Sequence, residues 1–219
     1  MSMTAQPKQY LTEEAYLQYE RTSVLKHEYY NGHIYAMAGA SENHNLIAMN
    51  IAAILRAHVR GGTCRAYPSD MRVKVVQTGL NTYPDFTVVC VPPQFVNPEK
   101  RDTLTNPIVI IEILSPSTES YDRGEKFQHY RTIDTLQEYI LVAQNKYRIE
   151  RFVRHDTNEW VLSDIAGIDA SLALRTLQTY IPLAEIYEQV PIRTDITLLR
   201  ESNSDSVTEA AGRDAENSV

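Results

Sequence analysis

The 219-residue chain contains no apolar run approaching the roughly 20 residues that a membrane helix requires. Its first residues, Met1-Ser2-Met3-Thr4-Ala5-Gln6-Pro7-Lys8, carry neither the basic nor the apolar region of a secretory leader. A cytoplasmic protein with no membrane partner is therefore expected. Positive charge is in deficit: the net charge is −7. That argues against a protein that coats nucleic acid through a broad basic face, while leaving room for an enzyme that touches few phosphates. Cysteine is scarce. Cys64 and Cys90 lie far apart in the chain, form no C-x-x-C, and the second falls inside a core-strand pattern. Two reduced, buried thiols are expected, and a zinc site built on them is improbable. There is no internal repeat, zinc finger or recognition helix.

What remains is an ordinary globular composition, 43% hydrophobic, long enough for one domain with a sizeable core. Residues 1–9 read as a flexible arm and 10–199 as the single domain. Residues 200–219, rich in Ser, Glu and Ala, read as a disordered acidic tail. A short helix is expected over 10–18, capped by Thr12 with Glu13 and Glu14 in its first turn. Asn31-Gly32 between aromatic-rich runs predicts a hairpin, because both turn positions need positive φ. Leu46, Ile47, Ile51, Ile54, Leu55 and Val59 recur at helical spacing before Gly61-Gly62, which predicts the longest helix over 41–60.

Strands follow around 64–67, 71–76 and 84–91, and a proline-rich loop at 92–107 leads to the most buried stretch of the chain. Ile108-Val109-Ile110-Ile111-Glu112-Ile113-Leu114-Ser115 is apolar on both sides of the pleat, as in a strand covered on both faces. Glu112 stands in its middle. An isolated ionised carboxylate there costs several kcal/mol unless it is paired or holds a cation. Asp85 stands at the mouth of a second such strand. Asp122 and Glu125 have the spacing of a capping box opening the next helix, with Phe127, Tyr130 and Ile133 as its apolar stripe. Residues 138–143 read as another core strand, 148–154 and 160–164 as an antiparallel pair turning near 156–158, and 183–189 as a last short helix. Trp160, with Phe152 and Val161, reads as core.

Four local runs, in this order, resemble the Uma family of restriction-type endonucleases within the PD-(D/E)XK nuclease superfamily. They are Tyr83-Pro84-Asp85-Phe86-Thr87-Val88-Val89-Cys90, Val109 through Thr118, Tyr121-Asp122-Arg123-Gly124-Glu125-Lys126-Phe127, and Leu136-Gln137-Glu138-Tyr139-Ile140-Leu141-Val142. The resemblance spans about 12–187. It implies an α/β, restriction-endonuclease-like core: a mixed central β-sheet flanked by helices, preceded by an N-terminal helix and hairpin. It also implies a metal-dependent endonuclease acting on DNA as a homodimer. Asp85 and Glu112 would hold Mg2+, with Mn2+ able to substitute, and the backbone carbonyl of Ile113 would be a third ligand. Hard cations prefer such oxygen ligands, and magnesium keeps several waters.

One position departs from the superfamily pattern. Leu114 stands where a lysine is wanted, two residues after Glu112, and the cation that replaces it is expected to be Lys126. The alternative for Lys126 is an exposed side chain bridged to Asp122; for Glu112 it is a carboxylate paired with a core Arg or Lys. Glu28 is a candidate catalytic acid beside the hairpin. His44 could touch a phosphate or orient Glu28, and Ser117 and Asp122 are candidate substrate contacts. Asp70 reads as a turn residue. Two other functions stay open: a nuclease-like fold that binds without cutting, favoured by Leu114 and the acidic charge, and a small-molecule phosphohydrolase using the same metal.

Overall fold

The computed structural model describes residues 10–37, 39–155 and 159–192. The expected arm at 1–9, the turn at 156–158 and the tail at 200–219 lie outside them. Thr12 caps α1 (Glu13–Glu20), its Oγ1 accepting the Ala15 N–H at 3.2 Å. The hairpin β1 (His27–Tyr30) and β2 (His33–Ala36) turns at Asn31 and Gly32, with φ of 47° and 80°. Both values lie in the left-handed region that this turn demands. Ser41 caps α2 (Glu42–Val59), and Ile47, Ile51, Leu55 and Val59 form its buried stripe. Then come β3 (Arg65–Pro68), β4 (Arg72–Val75), β5 (Leu80–Thr82), β6 (Phe86–Val89), β7 (Thr103–Leu104) and β8 (Val109–Leu114). A helical stretch combines α3 (Glu119–Tyr121), a π-helical turn (Asp122–Lys126) and α4 (Phe127–Tyr130). The last elements are β9 (Glu138–Ala143), β10 (Arg148–His155), β11 (Glu159–Ala166), β12 (Ser171–Leu174), β13 (Thr179–Pro182) and α5 (Leu183–Ile186).

A mixed six-stranded sheet of order β11-β10-β9-β8-β6-β3 carries the core. Its β8 and β9 are parallel and every residue of both is buried. That explains their near-continuous aliphatic sequences: neither face meets water. On one face Ile111, Ile113 and Val142 meet the stripe of α2 and the β12–β13 hairpin. On the other, Ile110, Leu114 and Leu141 meet Val73, Val75 and Leu80 of a second sheet and Tyr130 of α4. Each fully buried aliphatic contributes about 1.5–3 kcal/mol.

Several expectations are corrected. The strand around 71–76 belongs not to the central sheet but to a five-stranded one, β2-β1-β5-β4-β7, and β5 of that sheet forms in what reads from the sequence as a connection. Alternation marks a strand but does not name its partner. The helical stretch opens at Glu119, before the capping-box residues, and the final helix is four residues long. Val161 is half exposed. Cys64 and Cys90 form a disulfide. Although 26 residues separate them, β3 runs antiparallel to β6 with Arg65 opposite Val89, so the next step of the register sets the two sulfurs together.

Candidate active site

Asp85 and Glu112 hold each other in place across adjacent strands. The β6–β8 ladder ends at the pair Phe86–Ile111, because Pro84 has no N–H with which to continue it. The unused backbone groups go to the acids. The Ile113 N–H donates to Asp85 Oδ2 at 2.7 Å, and the Asp85 N–H donates to Glu112 Oε2 at 3.3 Å. A residue in a strand points its N–H and C=O to the same neighbour, so the Ile113 carbonyl faces the Asp85 side as well. Among the described residues, Asp85 Oδ1 accepts no hydrogen bond.

Lys126 reaches Glu112 from the helical stretch. Its Nζ lies 2.9 Å from Glu112 Oε1, 3.1 Å from Glu28 Oε1 and 3.3 Å from Asp122 Oδ1. Only 7% of its side chain is exposed, so the alternative of a solvated lysine bridged to Asp122 does not hold. Leu114 shares a face with Glu112, two residues on, but packs into the apolar cluster with Val73, Leu136 and Tyr139. The ammonium that the strand does not supply arrives instead from the π turn. Such turns insert one extra residue into a helix and recur at functional sites; here Asp122 and Lys126 both turn inward.

A closed ring of contacts surrounds the ammonium. The Tyr130 hydroxyl donates to Glu112 Oε1 at 2.8 Å and lies 3.5 Å from Thr82 Oγ1, which donates to Glu28 Oε1. Burial pushes the Glu112 carboxyl up to about 8, against the pull of Lys126 and with help from the negative charges of Asp122 and Asp85. Burial likewise raises Asp122. For Lys126 burial disfavours the ammonium, but Glu112, Tyr130, Glu28 and Asp122 outweigh it and hold the amine charged. Three carboxylates, Glu112, Glu28 and Asp122, thus share one lysine, with Asp85 alongside, and the cluster is short of positive charge.

The other expected residues divide. Glu28 belongs to the ring. His44 does not orient Glu28: its Nε2 lies 3.3 Å from Asp85 Oδ2, and its buried Nδ1 has no partner. Asp122 is not turned toward a substrate but is a buried partner of Lys126. Ser117 is exposed and bonds Ser115 within its own loop, 3.0 Å between hydroxyls. Asp70 is an exposed turn residue. Arg123, another cation on the stretch, is occupied by Glu150 and Glu119. Tyr130 and Thr82 are the members that sequence reasoning misses. Tyr130 hides in the apolar stripe, although its position four residues after Lys126 places both on one helix face.

Among the described residues no group of three or more His, Cys, Asp or Glu is arranged to hold an ion by itself. The available donors, the Asp85 and Glu112 carboxylates and the Ile113 carbonyl, are all oxygens, few in number and partly reachable from solvent at Asp85. That set suits a magnesium ion that keeps most of its waters.

The family model of Uma2, described as "Putative restriction endonuclease", matches residues 13–184. Two uncharacterized proteins of Synechocystis sp. are 37% and 35% identical to the chain. The first alignment covers 73% of this chain and 82% of the relative, the second 74% and 91%. A crystal structure described as a "putative nuclease belonging to DUF820", from Anabaena variabilis, superposes with a TM-score of 0.66 at 16% identity, covering 81% of this chain and 97% of that one. At that identity the likeness carries the fold alone, a restriction-endonuclease-like α/β arrangement. With residues 13–184 of the 219 matched and two relatives above a third identical, the chain belongs to the Uma2 family.

Proposed function

We propose that this protein hydrolyses phosphodiester bonds of DNA with a divalent cation, Mg2+ or Mn2+, held by Asp85, Glu112 and the Ile113 carbonyl. The observation that carries this reading is the interlocked Asp85–Glu112 pair, short of positive charge, with the Lys126 ammonium delivered beside it. The cation would lower the pKa of a bound water and offset charge on the phosphate under attack. Among the described residues Asp85 keeps one oxygen unbonded, because the Ile113 N–H and His44 both engage the other. Lys126, held beside the site by three carboxylates, can release one of them and give that N–H to a phosphate oxygen as negative charge builds. Tyr130 and Thr82 hold Glu112 and Glu28 in place around it. Cutting both strands of a duplex takes two such sites, so the same reading has the protein acting as a homodimer.

One observation favours a second reading, a nuclease fold that binds without cutting. The Lys126 ammonium already neutralises Glu112 in part and could stand in for a metal. A single comparison separates the two. Purified protein is given plasmid, short single and double strands, and a simple phosphate monoester, with magnesium, manganese or EDTA. Cleavage of DNA that EDTA abolishes supports the nuclease; turnover of the monoester alone would mean a phosphohydrolase. In Glu112→Gln, cleavage and magnesium-dependent thermal stabilisation should both vanish. Parent protein that binds DNA equally in EDTA and never cuts it fits the binding module.

A further inference from the structure

A second lysine stands on the strand that carries Glu28. Lys26 precedes β1, and the Met37 N–H donates to its carbonyl at 2.9 Å, so the β1–β2 ladder extends through it. Period two then puts Lys26 on the same face of the strand as Glu28, the acid that meets Lys126. Its ammonium lies 3.1 Å from the Ser69 carbonyl, 3.1 Å from Ser69 Oγ and 3.1 Å from Asp70 Oδ1. Ser69 follows Pro68, whose partner in β6 is Phe86, the residue after Asp85. The ammonium also lies 5.7 Å from the ring of Tyr83, two residues before Asp85. The Ser69–Asp70 turn and the Tyr83 ring therefore hold Lys26 next to the strand ends that lead to Asp85, while Lys126 meets Glu112. Exposure rises along this line: the side chains of Lys126, Asp85 and Lys26 are 7%, 17% and 37% exposed.

We infer that Lys26 is a substrate-binding residue that takes a backbone phosphate of the nucleic-acid strand as it enters past Asp85. The inference rests on the nuclease reading and supplies what that reading lacks. The buried ring binds its lysine tightly, and at its mouth an incoming polyanion meets the Asp85 carboxylate with His44 beside it but no lysine or arginine of the ring. A lysine is a compact charge on a flexible stem and suits a phosphate at that point. Its present charged partner is weakly held, since the side chain of Asp70 is 88% exposed, and exposed ion pairs contribute little. Binding would exchange the Asp70 carboxylate for a phosphate while the Ser69 oxygens continue to aim the ammonium. Asp70 is then a competitor, and the two residues have opposite effects.

The test measures binding of a short labelled duplex and single strand across a salt series, in calcium, which takes the same oxygen ligands as magnesium. Initial cleavage rates in magnesium accompany it. Lys26→Ala should weaken binding roughly tenfold and flatten the dependence of log Kd on log salt by about one unit, the signature of one lost phosphate contact. KM should rise with little change in kcat, and Lys26→Arg should restore most of the affinity. Asp70→Asn should tighten binding. A lysine that only clamps the Ser69 turn would instead lower the melting temperature when removed and leave the salt slope unchanged. Parent protein that binds no oligonucleotide overturns the nuclease reading and this inference together. Parent protein that binds, with Lys26→Ala and Asp70→Asn indistinguishable from it, overturns the lysine's role alone.

Discussion

Arg72 and Lys126 are both cations with almost no exposure, 3% and 5% of their surface, yet their surroundings differ. Around Arg72 the guanidinium donates to Thr103 and to the Tyr83 hydroxyl, each at 3.0 Å, and Tyr83 donates to Glu20 at 2.9 Å. Asp102 receives Arg21 at 2.7 Å and faces Arg72 at 3.5 Å, while His27 lies 3.0 Å from Glu20. Two acids meet two arginines, and Asp102 is held below the usual carboxylate range: burial alone would raise it, but Arg21 and Arg72 prevail. Around Lys126 several acids share one base, and burial pushes Glu112 and Asp122 up instead. A balanced cluster ties α1 to the second sheet, of which the hairpin is part. An unbalanced one is held there by the fold, with its charge left for something else to complete. Two buried ionic clusters of similar size can thus be told apart by their charge balance.

Substituting the two cations should separate rate from stability. Lys126→Met should lower DNA cleavage by roughly 10²-fold or more, the effect of losing one fixed transition-state donor. Its cost in stability at pH 6 should stay below about 2 kcal/mol, since Glu112 and Asp122 already favour taking up protons. Kinetics and a melt of one preparation check both. Arg72→Met should do the reverse: about 3 kcal/mol or more of stability lost in denaturant titration, because Asp102 and Tyr83 lose a buried partner. The rate per folded molecule should be unchanged. A Lys126 variant that cuts at the parental rate would remove the contrast.

A further contrast lies in pH. The Glu112 carboxyl rises from 4.5 to about 8 in the folded protein, so between those values the native state binds more protons than the unfolded chain. Stability in EDTA should therefore decline as pH rises through that window. Magnesium needs the deprotonated acid, so it should restore more stability at the alkaline end than at pH 5. Thermal melts with and without the ion would show it. In Glu112→Gln the slope should flatten.

Strands whose residues are buried on both sides announce themselves, and β8 and β9 are legible from their aliphatic runs alone. So are α2, through its spacing and Ser41, and the Asn31-Gly32 turn. Asp85 and Glu112 are legible as acids that a core does not accept without reason, and the absence of lysine at position 114 leads on to Lys126. What is not legible is partnership. Nothing in the alternation of 71–76 says it leaves the central sheet, and nothing in the spacing of Cys64 and Cys90 says that an antiparallel register brings them together. Tyr130 looks like apolar bulk because a hydroxyl buried against a carboxylate and a tyrosine buried in oil have the same pattern. Asp122 and Glu125 mimic a cap because capping and site chemistry use the same residue types. Tertiary contacts settle both.

The π turn at Asp122–Lys126 has a consequence that concerns chain length more than chemistry. It is a helix with one residue more than its α-helical alternative, and the surplus sits between α3 and α4. Removing one residue there would absorb the surplus: the stretch would relax into regular helix with its flanks close to their present places, and the turn would lose its wide form. Phe127 and Tyr130 are tied down by Tyr139, Phe152 and Glu112, so the change would fall on the turn itself and alter how Asp122 and Lys126 meet across it. Every functional side chain would still be encoded. The count between them is as much a part of this site as their identity, and a shortened variant could keep every motif and lose the centre.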